Sequence, residues 1–452
     1  MAKTKTAYVC NDCGSDHSKW QGQCQDCGGW NTLSEVRLGS SSSARQVGYA
    51  GTAAEICSLD SIDLDQLPRT SSGLKEFDRV LGGGLVAGSA ILIGGDPGAG
   101  KSTLLLQVMC HLASKQSALY ITGEESLQQV AMRAHRLGLP LTDLQLMTET
   151  DVDLMLQSVA VNKPAAIVVD SIQVMHSAEL QSAPGSVSQV RECAAKITQF
   201  AKQTNTVVFL VGHVTKDGSL AGPKVLEHMI DCSLLLEGGA DNRFRTLRGQ
   251  KNRFGAVNEL GVFAMTEQGM REVKNPSAIF LSRADFEQSG SVVVVLWEGT
   301  RPLLVEIQAL VDDMQSGNPR RIAVGLEQNR LAMLLAVLHR HGGLMVGSSD
   351  VFVNAVGGIK VLETSADLAL LFAVVSSFRD RIIPSDWVVF GEVGLSGEIR
   401  PVPSGQERIQ EAAKHGFKRA IVPVANKPKQ KIKGMEVVAV QRLSEALDLL
   451  DQ

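Results

Sequence analysis

The run GGDPGAGKS, Gly94 to Ser102, constrains this chain more than any other stretch. It has the P-loop spacing: Gly95, four residues, then Gly100, Lys101 and Ser102. The apolar run AILI (Ala90 to Ile93) precedes it and reads as a strand, and TLLLQVMCHLA follows with helical spacing. A strand, a glycine loop and a helix in that order form a phosphate cradle, because glycines let successive backbone N–H groups turn inward at a helix N-terminus. The candidate nucleotide-binding residues are therefore Gly95, Asp96, Pro97, Gly98, Ala99, Gly100, Lys101, Ser102 and Thr103. Lys101 would set a positive charge beside the β- and γ-phosphates, and the Ser102 hydroxyl can ligate Mg²⁺.

A chain of 452 residues is expected to hold two or three domains. The net charge of −4 excludes a global basic field, so any nucleic-acid contact must come from local patches. Aromatic residues are only 4% of the chain, so base stacking could not be the main grip on any nucleic acid. The opening MAKTKTAYVC has no apolar core of signal-peptide length. The longest apolar runs, LALLFAVV (368–375) and SVVVVLW (291–297), fall far short of a membrane span. A cytoplasmic protein without membrane contact is expected.

Four of the eight cysteines fall in the first 27 residues. Cys10 and Cys13 form one CxxC pair, and Cys24 and Cys27 form a second. Two such pairs complete a tetrahedral four-thiolate zinc shell with no open position, so the metal would be structural. Gly14 and Gly28 follow each pair and suit tight knuckle turns. Trp20 and Trp30 are expected to cover the small core. Redox chemistry is the bland alternative for a lone CxxC, and the doubled pair argues against it. Whether the module contacts DNA or protein stays open. The serine-rich GSSSSARQVG (39–48) reads as flexible linker.

Beyond the P-loop, strand-like runs recur at SALYIT (117–122), AAIVVD (165–170), TVVFLVG (206–212) and DCSLLLEG (231–238). Helical stretches at 126–139 and 187–203 separate them, which argues for a parallel sheet with helical crossovers. Asp170 ends one strand, where a carboxylate can hold Mg²⁺; a helix N-cap is the competing role. Glu124 and Glu125 end another, where a carboxylate can polarise the attacking water. Glu125 is preferred, although the pair is not separable in sequence. His213 follows a strand and would sense the γ-phosphate, or serve structure alone. The loop after it, TKDGSLAGPK (215–224), carries Lys216 and Lys224, and HSAELQSAPGSVSQ (176–189) is a second long polar loop. A hairpin with turn residues 238–242 ends in KNRFG, where Lys251 and Arg253 on a rigid tip would reach a neighbouring subunit's nucleotide; a solvated basic turn is the alternative.

RTSSGLKEFDRVLGGGLVAGSAILIGGDPGAGKST (69–103), the GEES run, the aspartate of IVVDS, KNRFG and the four-cysteine knuckle together resemble the bacterial RadA family, also called Sms. The resemblance covers nearly the whole chain. It implies an α/β fold with a RecA-like P-loop core, and a DNA-dependent ATPase forming hexameric rings on single-stranded DNA. Such an enzyme promotes branch migration of branched recombination intermediates beside the RecA recombinase. By that resemblance Lys101 and Ser102 bind ATP and Mg²⁺, Asp170 is the Walker B acid, and Glu125 or Glu124 activates water. Lys251 and Arg253 would couple DNA to hydrolysis across subunits, and the two long loops would line the channel.

The C-terminal part resembles the proteolytic domain of Lon, an α+β fold. LETSADLALLFAV places Ser365 where Lon has its nucleophile. Aligning HGFK with the Lon pattern puts Gln406 at the position of Lon's lysine base. An amide takes no proton, so an inactive domain is expected, with Ser365 as an N-cap for the next helix. Lys414, Lys418, Arg419, Lys427, Lys429, Lys431 and Lys433 lie in a stretch with no acid between Ala412 and Met435, and they read either as seven uncompensated DNA-contacting cations or as a solvated face. The expected organisation is a zinc finger over 1–35, a linker over 36–55, an ATPase domain over 56–281 and the Lon-like domain over 282–452. The favoured reading is a recombination motor. An ATP-gated protein-binding switch and a Lon-like protease are the alternatives.

Overall fold

Apolar runs too short for helices and bounded by turn residues lay down most of the strands. The computed structural model describes residues 5–10, 12–38, 68–212, 224–238, 243–281, 288–313 and 317–451. The linker, Cys57, His213 and Lys216 lie outside them. The chain divides into two compact units, Met1–Val273 and Lys274–Gln452. The first begins with a small antiparallel sheet: β1 (Lys5–Cys10) pairs with β2 (Asp16–His17) on one side and β3 (Leu33–Leu38) on the other.

The rest of this unit is a doubly wound α/β sandwich. In chain order it runs α1 (Lys75–Val80), β4 (Ala90–Gly95), α2 (Lys101–Ala113), β5 (Ala118–Thr122), α3 (Leu127–Arg136), β6 (Gln145–Thr148), α4 (Val152–Asn162), β7 (Ala166–Asp170), α5 (Val187–Thr204), β8 (Val207–Val211), α6 (Lys224–Met229), β9 (Cys232–Glu237), β10 (Phe244–Asn252), β11 (Leu260–Thr266) and β12 (Gly269–Glu272). The nine-stranded order is β12-β11-β10-β9-β4-β8-β7-β5-β6. From β9 to β6 all pairs are parallel, and β10 to β12 add an antiparallel wing. Strands β4, β5, β7 and β8 are buried throughout and correspondingly read as unbroken apolar runs. One face of the sheet packs Phe77, Leu104, Leu105 and Met109 of α1 and α2; the other packs Val152, Met155, Val190 and Ile197 of α4 and α5. Helix starts are set locally: Ser126 and Gln129 form a capping box on α3, Asp151 caps α4, and Ser186 caps α5. The short half-exposed β6 has no continuous apolar run to announce it, and neither it nor α4 was legible as an element in the sequence.

The second unit is α+β. It comprises β13 (Ser291–Glu298), β14 (Arg301–Asp313), β15 (Arg321–Val324), α7 (Gln328–Gly342), β16 (Ser349–Ala355), α8 (Asp367–Arg379), β17 (Trp387–Val389), β18 (Glu392–Val393), β19 (Ile399–Arg400), α9 (Gly405–Lys414), β20 (Arg419–Pro423), β21 (Glu436–Val440) and α10 (Leu443–Asp448). Its seven-stranded mixed sheet runs β15-β16-β14-β13-β17-β20-β21. A turn at Gly299 joins β13 to β14, and Gly343 closes α7 in the left-handed region. Helix α8 is buried from Asp367 to Ser376, as its lack of a polar stripe requires.

Arg408 on α9 is fully buried beneath this sheet. Its guanidinium donates to Val295 O at 2.5 Å, Pro403 O at 3.0 Å, both Glu363 carboxylate oxygens at 2.8 Å and Ser365 Oγ at 3.2 Å. Removing the guanidinium leaves the partly buried Glu363 carboxylate and two carbonyl acceptors without their donor. Arg408→Ala should therefore destabilise the C-terminal unit by about 3–5 kcal/mol. Denaturant unfolding followed through Trp297 and Trp387 tests this, and a loss below about 1 kcal/mol would show that the pair does not hold the unit together.

Candidate nucleotide and metal sites

All the chemistry expected of the P-loop gathers at one edge of the parallel sheet. Ile93 on β4 pairs with Val211 on β8, and Val169 on β7 pairs with Leu210. The carboxyl ends of these strands therefore face the same side, where open α/β sheets bind ligands. Gly98 and Gly100 have φ of 79° and 104°, a region closed to most side chains. A Cβ on Gly98 would meet nothing within 4 Å, so the loop is open there; on Gly100 it would strike Met270 Cε at 2.4 Å. Helix α2 has no side-chain N-cap and no acid in its first turn, which leaves its first N–H groups for an anion. The loop is pinned from behind by the buried Arg245 of β10, whose Nε donates to Ala99 O at 3.0 Å.

Lys101 is buried, and its Nζ donates to Gly95 O at 2.6 Å and Asp96 O at 3.1 Å. Burial lowers its pKa, while Asp170, Asp96 and Glu124 oppose that shift and favour the cation. Asp170 is buried at the end of β7, and its Oδ2 accepts from the Tyr120 phenol. Ser102 approaches that phenol as well. The two acids of GEES diverge. Ser171 Oγ donates to Glu124, whereas Glu125 is bound by Arg133 of α3. Glu124, not the preferred Glu125, thus stands with Asp170 and Lys101, because Glu125 is drawn aside by the adjacent helix. An ammonium, a hydroxyl and two carboxylates converging on a glycine cradle fit a nucleoside triphosphate with a divalent cation. Tyr120 and Arg245 belong to this cluster and were missed in the sequence. Inside apolar strands, neither carries a spacing signal.

Lys251 and Arg253 lie not at the β9–β10 turn but at the far end of β10, where the chain heads towards β11. Asn252 pairs with Cys232, while Gly95 pairs with Leu236, so the KNRFG run sits about 13 Å along the strands from the start of its own P-loop. Within the chain both cations are engaged. Lys251 Nζ donates to Glu227 O and Ile230 O at the end of α6. Arg253 donates to His228 O at 3.3 Å and pairs with the buried Asp231, which also binds Lys202 and Ala90 N. Lys224 opens α6, and its side chain lies outside the described residues.

At the front of the chain, the sulfurs of Cys10, Cys13, Cys24 and Cys27 all lie within 4.8 Å of one another. Cys10–Cys27 and Cys13–Cys24 are each 3.6 Å apart. A tetrahedral Zn–S shell needs sulfurs about 3.8 Å apart, so the four thiols fit zinc. Gly14 N donates to Cys10 O and Gly28 N to Cys24 O, both at 2.9 Å, and both glycines have positive φ. The Ser15 hydroxyl and its neighbours pull the Cys24 thiol down to about 5, which favours the ligating thiolate. His17 Nε2, unread in the sequence, stands 3.4 Å from Cys24 Sγ. Trp20 and Trp30 do not cover the core: they are 57% and 70% exposed. Cys10, Cys24 and Leu33 form the interior instead, leaving no space for an indole.

The second unit corrects three expectations. Gln406 is exposed, and the group facing Ser365 is Arg408, two residues on and so about 200° further round α9. A guanidinium stays protonated and donates, so it cannot take a proton from Ser365. Nor is Ser365 an N-cap: the N-cap position of α8 is Ala366, and no side chain caps the helix. Of the seven cations, Lys414, Lys418 and Arg419 pair with Glu411, Asp386 and Glu436, acids brought in from outside the run. Lys427, Lys429, Lys431 and Lys433 are exposed around the β20–β21 connection.

Among the described residues no helix is long and apolar enough to cross a membrane. The model of the AAA domain matches residues 66–219, that of a rubredoxin metal binding domain residues 8–35, and that of subunit ChlI of Mg-chelatase residues 322–426. The chain is 69% identical to DNA repair protein RadA of Haemophilus influenzae and 67% identical to that of Escherichia coli, each over the full length of both chains. It is 47% identical to the RadA of Bacillus subtilis over 99% of each chain. With such identity sustained from end to end, through the four-cysteine module, the P-loop unit and the C-terminal unit alike, the chain belongs to the RadA family of DNA repair proteins.

Proposed function

We propose that this chain is an ATP-hydrolysing motor of DNA repair that moves on single-stranded DNA and drives branch migration of recombination intermediates alongside the RecA recombinase. The observation that carries the reading is the convergence of Lys101, Ser102, Asp170 and Glu124 on the glycine cradle. In this reading the loop amides and Lys101 hold the β- and γ-phosphates, and Ser102 and Asp170 hold Mg²⁺. Bound Mg²⁺ would draw charge from the phosphate oxygens. Glu124 orients and deprotonates the attacking water. A homo-oligomeric ring, hexameric by family resemblance, gives Lys251 and Arg253 a role towards the neighbouring subunit, since their own P-loop is beyond reach. His213, Lys216 and Lys224 belong to the same reading as the γ-phosphate sensor and the channel loop. The C-terminal unit serves as a non-proteolytic platform.

Lys101→Ala should abolish ATP turnover at any DNA concentration while leaving the fold intact. Wild-type turnover should rise with single-stranded DNA. Turnover indifferent to DNA would favour the protein-binding switch instead. Mixing Lys101→Ala protein with Arg253→Ala protein should restore part of the activity if sites are shared between subunits. No recovery at any ratio would confine Arg253 to its own chain.

Exchanging Lys427, Lys429, Lys431 and Lys433 for glutamine should weaken DNA binding and flatten its salt dependence. Four lost phosphate contacts reduce the log–log slope by about 3 for single strands. An unchanged slope would remove this loop from the DNA path.

One zinc per chain is expected on Cys10, Cys13, Cys24 and Cys27. Metal analysis of protein lacking residues 1–35 should find none. A retained equivalent would place the ligands elsewhere.

A further inference from the structure

The Mg²⁺-holding pair in the reading above, Ser102 and Asp170, does not stand alone. Tyr120 on β5 is fully buried, packed in the same core as Leu104 and Val168. Its phenol meets the end of β7, where it donates to Asp170 Oδ2 at 2.5 Å. With Oδ2 held by the phenol, Asp170 has one oxygen fixed and the other to offer.

We propose that Tyr120 is a positioning residue for the divalent cation, a buried phenol that holds one oxygen of the Asp170 carboxylate and so fixes the direction in which the other is offered to the metal. This rests on the nucleotide reading and adds to it the group that orders the Asp170 ligand before the metal arrives. Preorganisation of this kind acts on the metal-dependent part of nucleotide affinity and not on the phosphate grip of Lys101 and the loop amides.

The test measures equilibrium binding of a fluorescent ATP analogue to the full chain, with Mg²⁺ and with EDTA. Tyr120→Phe keeps the ring that the core packs around and removes only the hydroxyl. Affinity in EDTA should stay within about twofold of wild type, and the gain produced by Mg²⁺ should fall about tenfold, the worth of a hydrogen bond to a charged group. Half-saturation by Mg²⁺ should move upward by a similar factor. A Mg²⁺ gain retained in full by Tyr120→Phe overturns the assignment. In an Asp170→Ala background, where the phenol has lost its partner, Tyr120→Phe should add less than about twofold; a full further tenfold loss also overturns it. If wild-type protein binds the analogue no better with Mg²⁺ than with EDTA, the nucleotide reading itself falls, an outcome separable from failure at Tyr120 alone.

Discussion

Everything in the first unit depends on β4 being buried between two parallel neighbours. Flanked by β8 and β9 and covered on both faces, the strand can release its chain only at its carboxyl edge. Parallel pairing brings the ends of β5, β7 and β8 to that same edge. The glycine loop with its lysine and hydroxyl, the Glu124 carboxylate after β5 and the Asp170 carboxylate of β7 therefore meet from three separate segments of the chain. The antiparallel wing has the reverse effect. Strand β10 runs back along β9 and carries Lys251 and Arg253 to the opposite edge. Two sites at the two edges of one rigid sheet are a geometry suited to contacts with different neighbours.

Both units bury a polar side chain at a position that organises others. In the first, a phenol holds the Asp170 carboxylate; in the second, the Arg408 guanidinium donates to two carbonyls, the Glu363 carboxylate and the Ser365 hydroxyl. Low local dielectric strengthens such bonds and makes each member costly to lose. In the C-terminal unit the consequence is chemical as well as structural. The place from which a base would have to act on Ser365 is filled by a permanent cation, and the fold keeps its architecture without a proton acceptor there.

The front module shows the same economy at a smaller scale. Three short strands enclose little more than two cysteines and a leucine, and four sulfurs at metal-binding distance do the work that a hydrophobic core does in a larger domain. The tryptophans are consequently left at the surface, where they have no part in holding the module together.

The P-loop, the paired CxxC knuckles, the parallel sheet and the apolar helix α8 were all legible in the sequence, because each rests on local spacing or on an unbroken apolar run. Family resemblance read from the motifs was likewise carried by contiguous residues such as KNRFG. What tertiary structure alone decided was direction. Neighbours such as Glu124 and Glu125 cannot be ranked until α3 supplies Arg133 to draw one aside. Gln406 and Arg408 exchange roles because helical phase, not alignment, sets which faces Ser365. Of seven clustered cations, Lys418 and Arg419 pair with acids that folding brings near, while Lys414 pairs with Glu411 one helical turn back. Tyr120 looks like one more apolar strand residue until β7 places Asp170 against its hydroxyl. Sequence spacing encodes which groups a segment carries; the partner each group meets is fixed by distant segments, and so appears only when the chain is folded.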